Sequence, residues 1–197
     1  MTARPEVLLD EHAIAVTVDR LATEIARDHP DGVVLVGILE GALLLLADVA
    51  RALARVAPGL DVTVDVVAIS RYAPDSGRVR LLLDVGVPLD GRDVVLVEDL
   101  VDTGLSLGYL LGHLRARGPR TLDVCALLDR PARRILPLVV RYVGHEIPDV
   151  YVLGYGLHHH DRYRNLPCVV VADRELVLAD PDVYVPVLYG DPPADGP

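Results

Sequence analysis

The chain has 197 residues, enough for one domain with a sizeable buried core. Its 29 acidic and 19 basic side chains leave a formal net charge of −10, which argues against a general nucleic-acid binder, because phosphate backbones need basic surface. Hydrophobic residues make up 51%, yet no uninterrupted apolar run approaches the roughly 20 residues of a membrane span. No charged-then-apolar leader precedes Glu6, and Cys125 and Cys168 lie in apolar, strand-like contexts that suit reduced core thiols. The expectation is a cytoplasmic protein with no membrane and no nucleic-acid partner. All 19 basic residues are arginine; the chain has no lysine.

From Leu8-Leu-Asp-Glu-His12 the chain leads into an amphipathic helix over Ala13 to His29, with Ile14, Val18, Leu21, Ile25 and Ala26 at helical spacing and a stop at His29-Pro-Asp-Gly32. Val33 to Leu39 reads as a buried strand, Glu40 to Ala42 as a turn, Leu43 to Val56 as an apolar helix, and Val62 to Ile69 as the next strand, which makes a crossover unit. Ser70 to Gly77 breaks the pattern as a loop, and Val79 to Asp84 resumes a strand. Val94 to Val97 is apolar without alternation, as a strand covered on both faces of a parallel sheet should be. A helix is predicted over Leu107 to Leu114 and ends by Arg117-Gly-Pro119; strands follow at Thr121 to Leu128, Val139 to Val143, Val150 to Leu153 and Cys168 to Ala172. Gly154 to Arg164 is a polar loop. The alternation predicts an α/β fold with a doubly wound, mostly parallel sheet, the chain ends forming a small hood, in a single domain over 1–190 with a flexible tail over 191–197.

The chemistry concentrates in Val97-Glu-Asp-Leu-Val-Asp-Thr-Gly-Leu-Ser106. Three carboxylates, Glu98, Asp99 and Asp102, border a turn in which Thr103, Gly104, Leu105 and Ser106 offer hydroxyls, unhindered N–H groups and a helix N-terminus, a concave donor site for a phosphate. Acids on the rim of such a site would be repelled unless they hold a divalent cation, contact sugar hydroxyls or act on a proton.

This stretch resembles the phosphoribosyl pyrophosphate motif of type I phosphoribosyltransferases, in the form used by the hypoxanthine-guanine enzymes, and the similarity runs from about Val33 to Pro167. The resemblance implies Asp102 as general base, Glu98 and Asp99 as ligands of ribose hydroxyls and Mg2+, and Asp102 to Ser106 as the 5′-phosphate cradle. It implies that Leu39, Glu40 and Gly41 form the pyrophosphate loop, where the family places a strained, often cis, peptide, and that Ser70, Arg71 and Tyr72 begin a mobile lid. Arg130 would contact the purine's exocyclic group, Tyr151 and Val152 would stack on and read the base, and His158 and Arg164 would serve the leaving-group side. A homodimer or homotetramer is the family's usual assembly.

Four positions depart from the family. Arg130 replaces a purine-reading lysine, as a lysine-free chain would require. Glu40 stands where the pyrophosphate loop usually has lysine, Leu83 replaces a lysine before Asp84, and His158 replaces a magnesium-binding aspartate. The ribose and 5′-phosphate half is preserved while the leaving-group half is altered. One reading is a purine phosphoribosyltransferase of hypoxanthine or guanine type. Another is an N-glycosyltransferase that binds AMP or IMP as acceptor and uses a nucleotide-activated sugar, with His158, His159 or His160 as base. A third is a nucleotide-sensing regulator without turnover. In an extended segment, the three successive histidines would alternate sides and not share one ion.

Overall fold

The apolar runs read from the sequence pair into two sheets, one of six strands and one of three. The computed structural model describes residues 4–70 and 79–190. In chain order these form β1 (Glu6–Leu9), α1 (Glu11–Asp28), β2 (Val33–Leu39), α2 (Leu43–Val56), β3 (Val62–Ile69), β4 (Leu81–Leu83), β5 (Asp93–Val101), α3 (Leu105–Arg115) and β6 (Thr121–Asp129). A single 3₁₀ turn at Pro131–Arg133 precedes β7 (Tyr142–Glu146), β8 (Tyr151–Leu153), β9 (Val169–Ala172), α4 (Arg174–Ala179) and α5 (Val185–Tyr189).

Two compact units result. The larger spans residues 15–149 and holds a six-stranded sheet in the order β4-β3-β2-β5-β6-β7, parallel except for β4. Residues 33–38 of β2 and 93–97 of β5 are buried throughout, as central strands with helices on both faces require. Helix α2 buries Leu45, Leu46, Val49, Ala52 and Leu53, one stripe at helical spacing, and α3 buries Leu107, Leu110, Leu111 and Leu114. Together with Val34, Val36, Val94, Leu96, Val124 and Ala126 the α3 leucines make one continuous core. Strand β2 is followed by a crossover to β3 on one side, and β5 by a crossover to β6 on the other. The order therefore reverses between β2 and β5, and in open α/β sheets ligands bind beyond the carboxyl ends of the strands at such a point.

The smaller unit, residues 1–14 and 150–197, joins the two ends of the chain. Strands β1, β9 and β8 form an antiparallel sheet in that order. Its core contains Leu153, Tyr163, Leu166, Val170, Val177 and Tyr184.

The structure corrects several boundaries. The motif strand β5 continues through Glu98 and Asp99 to Val101, so these acids lie on the strand's end instead of in a turn. The strand placed at 139–143 is β7, which starts only at Tyr142, because its register follows β6, with Cys125 opposite Tyr142; Val139 is 83% exposed. Strand β1 and helices α4 and α5 were not read from the sequence, and Val79 to Asp84 contains only the short β4. Arg71, Tyr72 and the tail over 191–197 lie outside the described residues.

Candidate active site

The carboxyl ends of β2 and β5 bring two of the expected segments together. Beyond β2, the Leu39–Glu40 peptide is cis, and the Ala42 N–H donates to the Ile38 carbonyl at 3.2 Å, folding the loop tightly into α2. Glu40 is exposed. Gly41 lies directly against Asp99: a Cβ built on it would fall 2.0 Å from Asp99 Oδ2. Asp99 is also fixed by the Leu100 N–H, which donates to Oδ1 at 2.7 Å. Gly41→Ala should therefore displace the Asp99 carboxylate, a movable side-chain end, more than it disturbs the backbone. The expected result is a melting temperature close to the parent's and a kcat/KM lower by roughly tenfold to a hundredfold, the usual effect of small misplacements in a site.

Beyond β5, Asp102 and Thr103 lead to Gly104, which adopts φ +81 and caps α3. Only glycine fits there, since a Cβ would come within 2.9 Å of the Leu136 carbonyl in addition to the left-handed backbone. The Thr103 carbonyl accepts from the N–H groups of Ile135 and Leu136 at 2.9 and 3.0 Å, and Thr103 Oγ1 accepts from the Leu105 N–H at 3.4 Å. Leu105 and Ser106 open the helix and are exposed. Gly104, in the left-handed region, directly precedes the N-terminus of α3, a geometry that can offer backbone N–H groups to an anion.

Asp102 meets Arg130, the residue expected at the purine. Arg130 is 5% exposed, and its guanidinium approaches the carboxylate twice, Nη2 to Oδ2 at 3.1 Å and Nε to Oδ1 at 3.3 Å. Arg134 braces the same loop from the other side. Its Nε donates to the Asp102 carbonyl at 2.8 Å, and Nη2 pairs with Asp129. Arg134 was not singled out from the sequence. The available signal was three arginines within Arg130-Pro-Ala-Arg-Arg134, just past a buried strand and opposite in sign to the acidic motif.

Ser70 ends β3's segment: its N–H donates to the Arg80 carbonyl at 2.8 Å and its hydroxyl accepts from the Arg80 N–H at 3.1 Å. Glu98 and Asp99 offer hard carboxylate oxygens of the kind magnesium takes while keeping water and substrate phosphates as its other ligands. Among the described residues, no group of three or more His, Cys, Asp or Glu is arranged to hold a metal alone.

Tyr151, Val152, His158 and Arg164 belong to the smaller unit. Tyr151 is half-buried, and its hydroxyl lies 2.8 Å from His159 Nδ1; Val152 is buried in β8. Burial, with the neighbouring charge of His160, holds the His159 imidazole below its ordinary value. The histidine segment, expected as part of a polar loop, makes a tight turn: His159 bridges Arg162, and His160, Asp161 and Tyr163 have φ of 46, 62 and 72. His158 Nδ1 accepts from the Asp161 N–H at 3.0 Å, and Arg164 donates to the Gly156 carbonyl at 2.9 Å and to Asp161 Oδ1 at 3.3 Å. The turn thus gives His158 and His159 different partners.

The phosphoribosyl transferase domain model matches residues 6–161. A hypoxanthine-guanine phosphoribosyltransferase of Bacillus subtilis is 34% identical over 168 residues, 84% of this chain and 92% of the relative. The Mycobacterium avium enzyme of the same name is 37% identical over 177 residues, 85% of each chain. Among solved structures, a Bacillus anthracis hypoxanthine-guanine phosphoribosyltransferase superposes with TM-score 0.77 at 36% identity, covering 84% of this chain and 95% of that one. A lysine-to-arginine mutant of the Trypanosoma cruzi hypoxanthine phosphoribosyltransferase, solved as a ternary substrates complex, gives TM-score 0.80 at 34% identity, with 86% and 96% covered. The acidic motif at the switch point and this likeness along most of the chain have one source: the chain belongs to the phosphoribosyltransferase family.

Proposed function

We propose that the chain transfers the 5-phosphoribosyl group of phosphoribosyl pyrophosphate to a purine base of the hypoxanthine or guanine type. The observation that carries this is the intact acid-acid-x-x-acid-Thr-Gly-x-Ser sequence standing where strand order reverses, beside the Leu39–Gly41 loop. The named relatives support the same reading. They lend no support to a nucleotide-sugar donor or to a regulator without turnover.

In the reaction, the bond from the anomeric carbon to the pyrophosphate oxygen breaks, the oxygen keeping the electron pair. A ring nitrogen of the purine bonds to that carbon and loses its proton. Asp102 accepts the proton, and Glu98 and Asp99 lie where anionic groups favour an oxocarbenium-like carbon and hold ribose hydroxyls. When bound, Mg2+ offsets charge on the departing pyrophosphate, with Glu98 and Asp99 as its protein ligands. Thr103, Gly104, Leu105 and Ser106 hold the 5′-phosphate. Arg130 donates to the purine's exocyclic oxygen, Tyr151 and Val152 serve the base, and Leu39, Glu40, Gly41, Ser70, Arg71, Tyr72, His158 and Arg164 serve the leaving-group side. We further read residues 1–190 as one functional domain and the protein as cytoplasmic, and we read it as a homodimer or homotetramer, for which the exposed apolar side chains of Leu105, Tyr109, Ile135 and Val139 offer surface to cover.

The test is nucleotide formation with magnesium and phosphoribosyl pyrophosphate against hypoxanthine, guanine, xanthine and adenine. Turnover with the 6-oxopurines is expected, and tight AMP or IMP binding without turnover would overturn the reading. Thr103→Ala should weaken binding of a 5′-phosphorylated nucleotide by about tenfold, as loss of one hydrogen bond to a charged group does. Unchanged affinity in a titration would move the phosphate elsewhere.

A further inference from the structure

Asp102 is not held by Arg130 alone. Arg133 Nη1 lies 3.6 Å from Asp102 Oδ2, and Arg133 Nε lies 3.7 Å from Asp149 Oδ1. Arg130 Nη1 in turn lies 4.0 Å from the same Asp149 oxygen. The four side chains close a ring of alternating charge in which each carboxylate faces two guanidiniums and each guanidinium two carboxylates.

Local structure explains how they meet. Pro131 starts a 3₁₀ turn in which the Arg133 N–H donates to the Arg130 carbonyl at 3.2 Å, and residues three apart in such a turn stand on one side. The Ile147 N–H donates to the Asp129 carbonyl at 2.8 Å, which holds the segment carrying Asp149 beside the start of that turn.

The ring divides into a buried and a wet half. The Arg130 side chain is 6% exposed, while that of Asp149 is 61% exposed and meets nitrogens of both guanidiniums other than those nearest Asp102. Two cations near a carboxylate oppose its protonation, and an anion beside them takes up part of their charge. We propose that Asp149 and Arg133 are positioning residues for this reaction. Arg133 and Arg130 aim the Asp102 carboxylate, and Asp149 draws on both guanidiniums so that Asp102 stays able to take the purine's proton. The proposal rests on the reading of Asp102 as proton acceptor.

The test is steady-state kinetics on the full-length protein carrying Asp149→Asn, Asp149→Glu, Arg133→Gln, Asp102→Asn and the double change Asp102→Asn with Asp149→Asn. Asp149→Asn should lower kcat about tenfold, within the range of couplings inside one ion-pair network, and leave KM for phosphoribosyl pyrophosphate within about twofold. Asp149→Glu should restore most of the loss, and Arg133→Gln should lower kcat with the same split. In the Asp102→Asn background, adding Asp149→Asn should cost nothing more, because Asp149 acts through Asp102. A full kcat in Asp149→Asn, or a double variant slower by the product of the single losses, overturns the ring while leaving Asp102's role intact. A full kcat in Asp102→Asn overturns the proton-acceptor reading itself, and the ring with it.

Discussion

Asp102→Asn is expected to lower kcat for nucleotide formation by roughly a hundredfold to a thousandfold, the range a positioned proton acceptor contributes. The amide has nearly the same shape and still accepts a hydrogen bond from Arg130, so the loop should keep its fold. What it loses is the charge that takes the proton. The KM for phosphoribosyl pyrophosphate should therefore move little, since the backbone N–H groups after Gly104 and the Thr103 hydroxyl are untouched. Unaltered kcat with hypoxanthine and guanine would falsify the assignment. A fall in kcat that came with an equal rise in KM for phosphoribosyl pyrophosphate would mean that Asp102 mainly binds the donor. Thermal unfolding separates out a third outcome, in which neutralising Asp102 leaves the buried Arg130 guanidinium poorly paired and loosens the loop. The neighbouring Asp149 lies 4.0 Å from Arg130 Nη1, which should keep that loss small.

The strand-helix alternation and the acidic motif were legible because each is written locally. A fully apolar run such as Val94 to Val97 needs cover on both faces, and three acids before Thr-Gly-x-Ser need a phosphate chemistry to explain them. The misread parts depend on partners distant in sequence. Val139 and Val140 have the residue type of a strand, but β6 pairs from Tyr142 onward, and nothing near Val139 in sequence announces that register. Strand β1 exists because β9, near the other end of the chain, runs antiparallel to it, with Glu6 opposite Val171. The ring around Asp102 was invisible for the same reason: Asp149 follows Pro148 in what reads as an ordinary turn, and only folding brings it to Arg130 and Arg133. The segment over Gly154 to Arg164 was legible as a polar loop, but its tight turn, with His160, Asp161 and Tyr163 at positive φ, was not.

At the other end of the parallel sheet, Asp93→Ala is expected to destabilise the protein by about 3 kcal/mol, the loss typical of removing one partner from a buried charge network, while leaving kcat unchanged. Asp93 opens β5 and is 6% exposed. It accepts from Arg120 Nε and Nη2 at 2.8 and 2.7 Å and from the Thr121 hydroxyl at 2.9 Å, and lies 3.2 Å from His29 Nδ1. His29 is 2% exposed, and its Nε2 meets the Tyr142 hydroxyl at 3.0 Å. Alanine would strand Nδ1 of the buried His29 ring, whereas the half-exposed Arg120 and the partly exposed Thr121 hydroxyl can turn to water. For a chain of this size the loss should appear as a melting temperature lower by roughly 6 to 12 °C. The hydrogen bonds from Arg120 hold the Asp93 carboxyl below the usual carboxylate range against the opposing effect of burial. A depressed native value adds stability that is fully present above the unfolded carboxylate's value of about 3.9 and is lost as pH falls through the native one. Nearby Asp28, held at about 2 by hydrogen bonds from Arg27 and Arg141, contributes with the same sign. The difference between parent and Asp93→Ala in urea unfolding should therefore stay constant from neutral pH to about 5 and narrow below about 4. A gap that persists undiminished down to about pH 2 would show that Asp93 acts there by its packing and not by its charge.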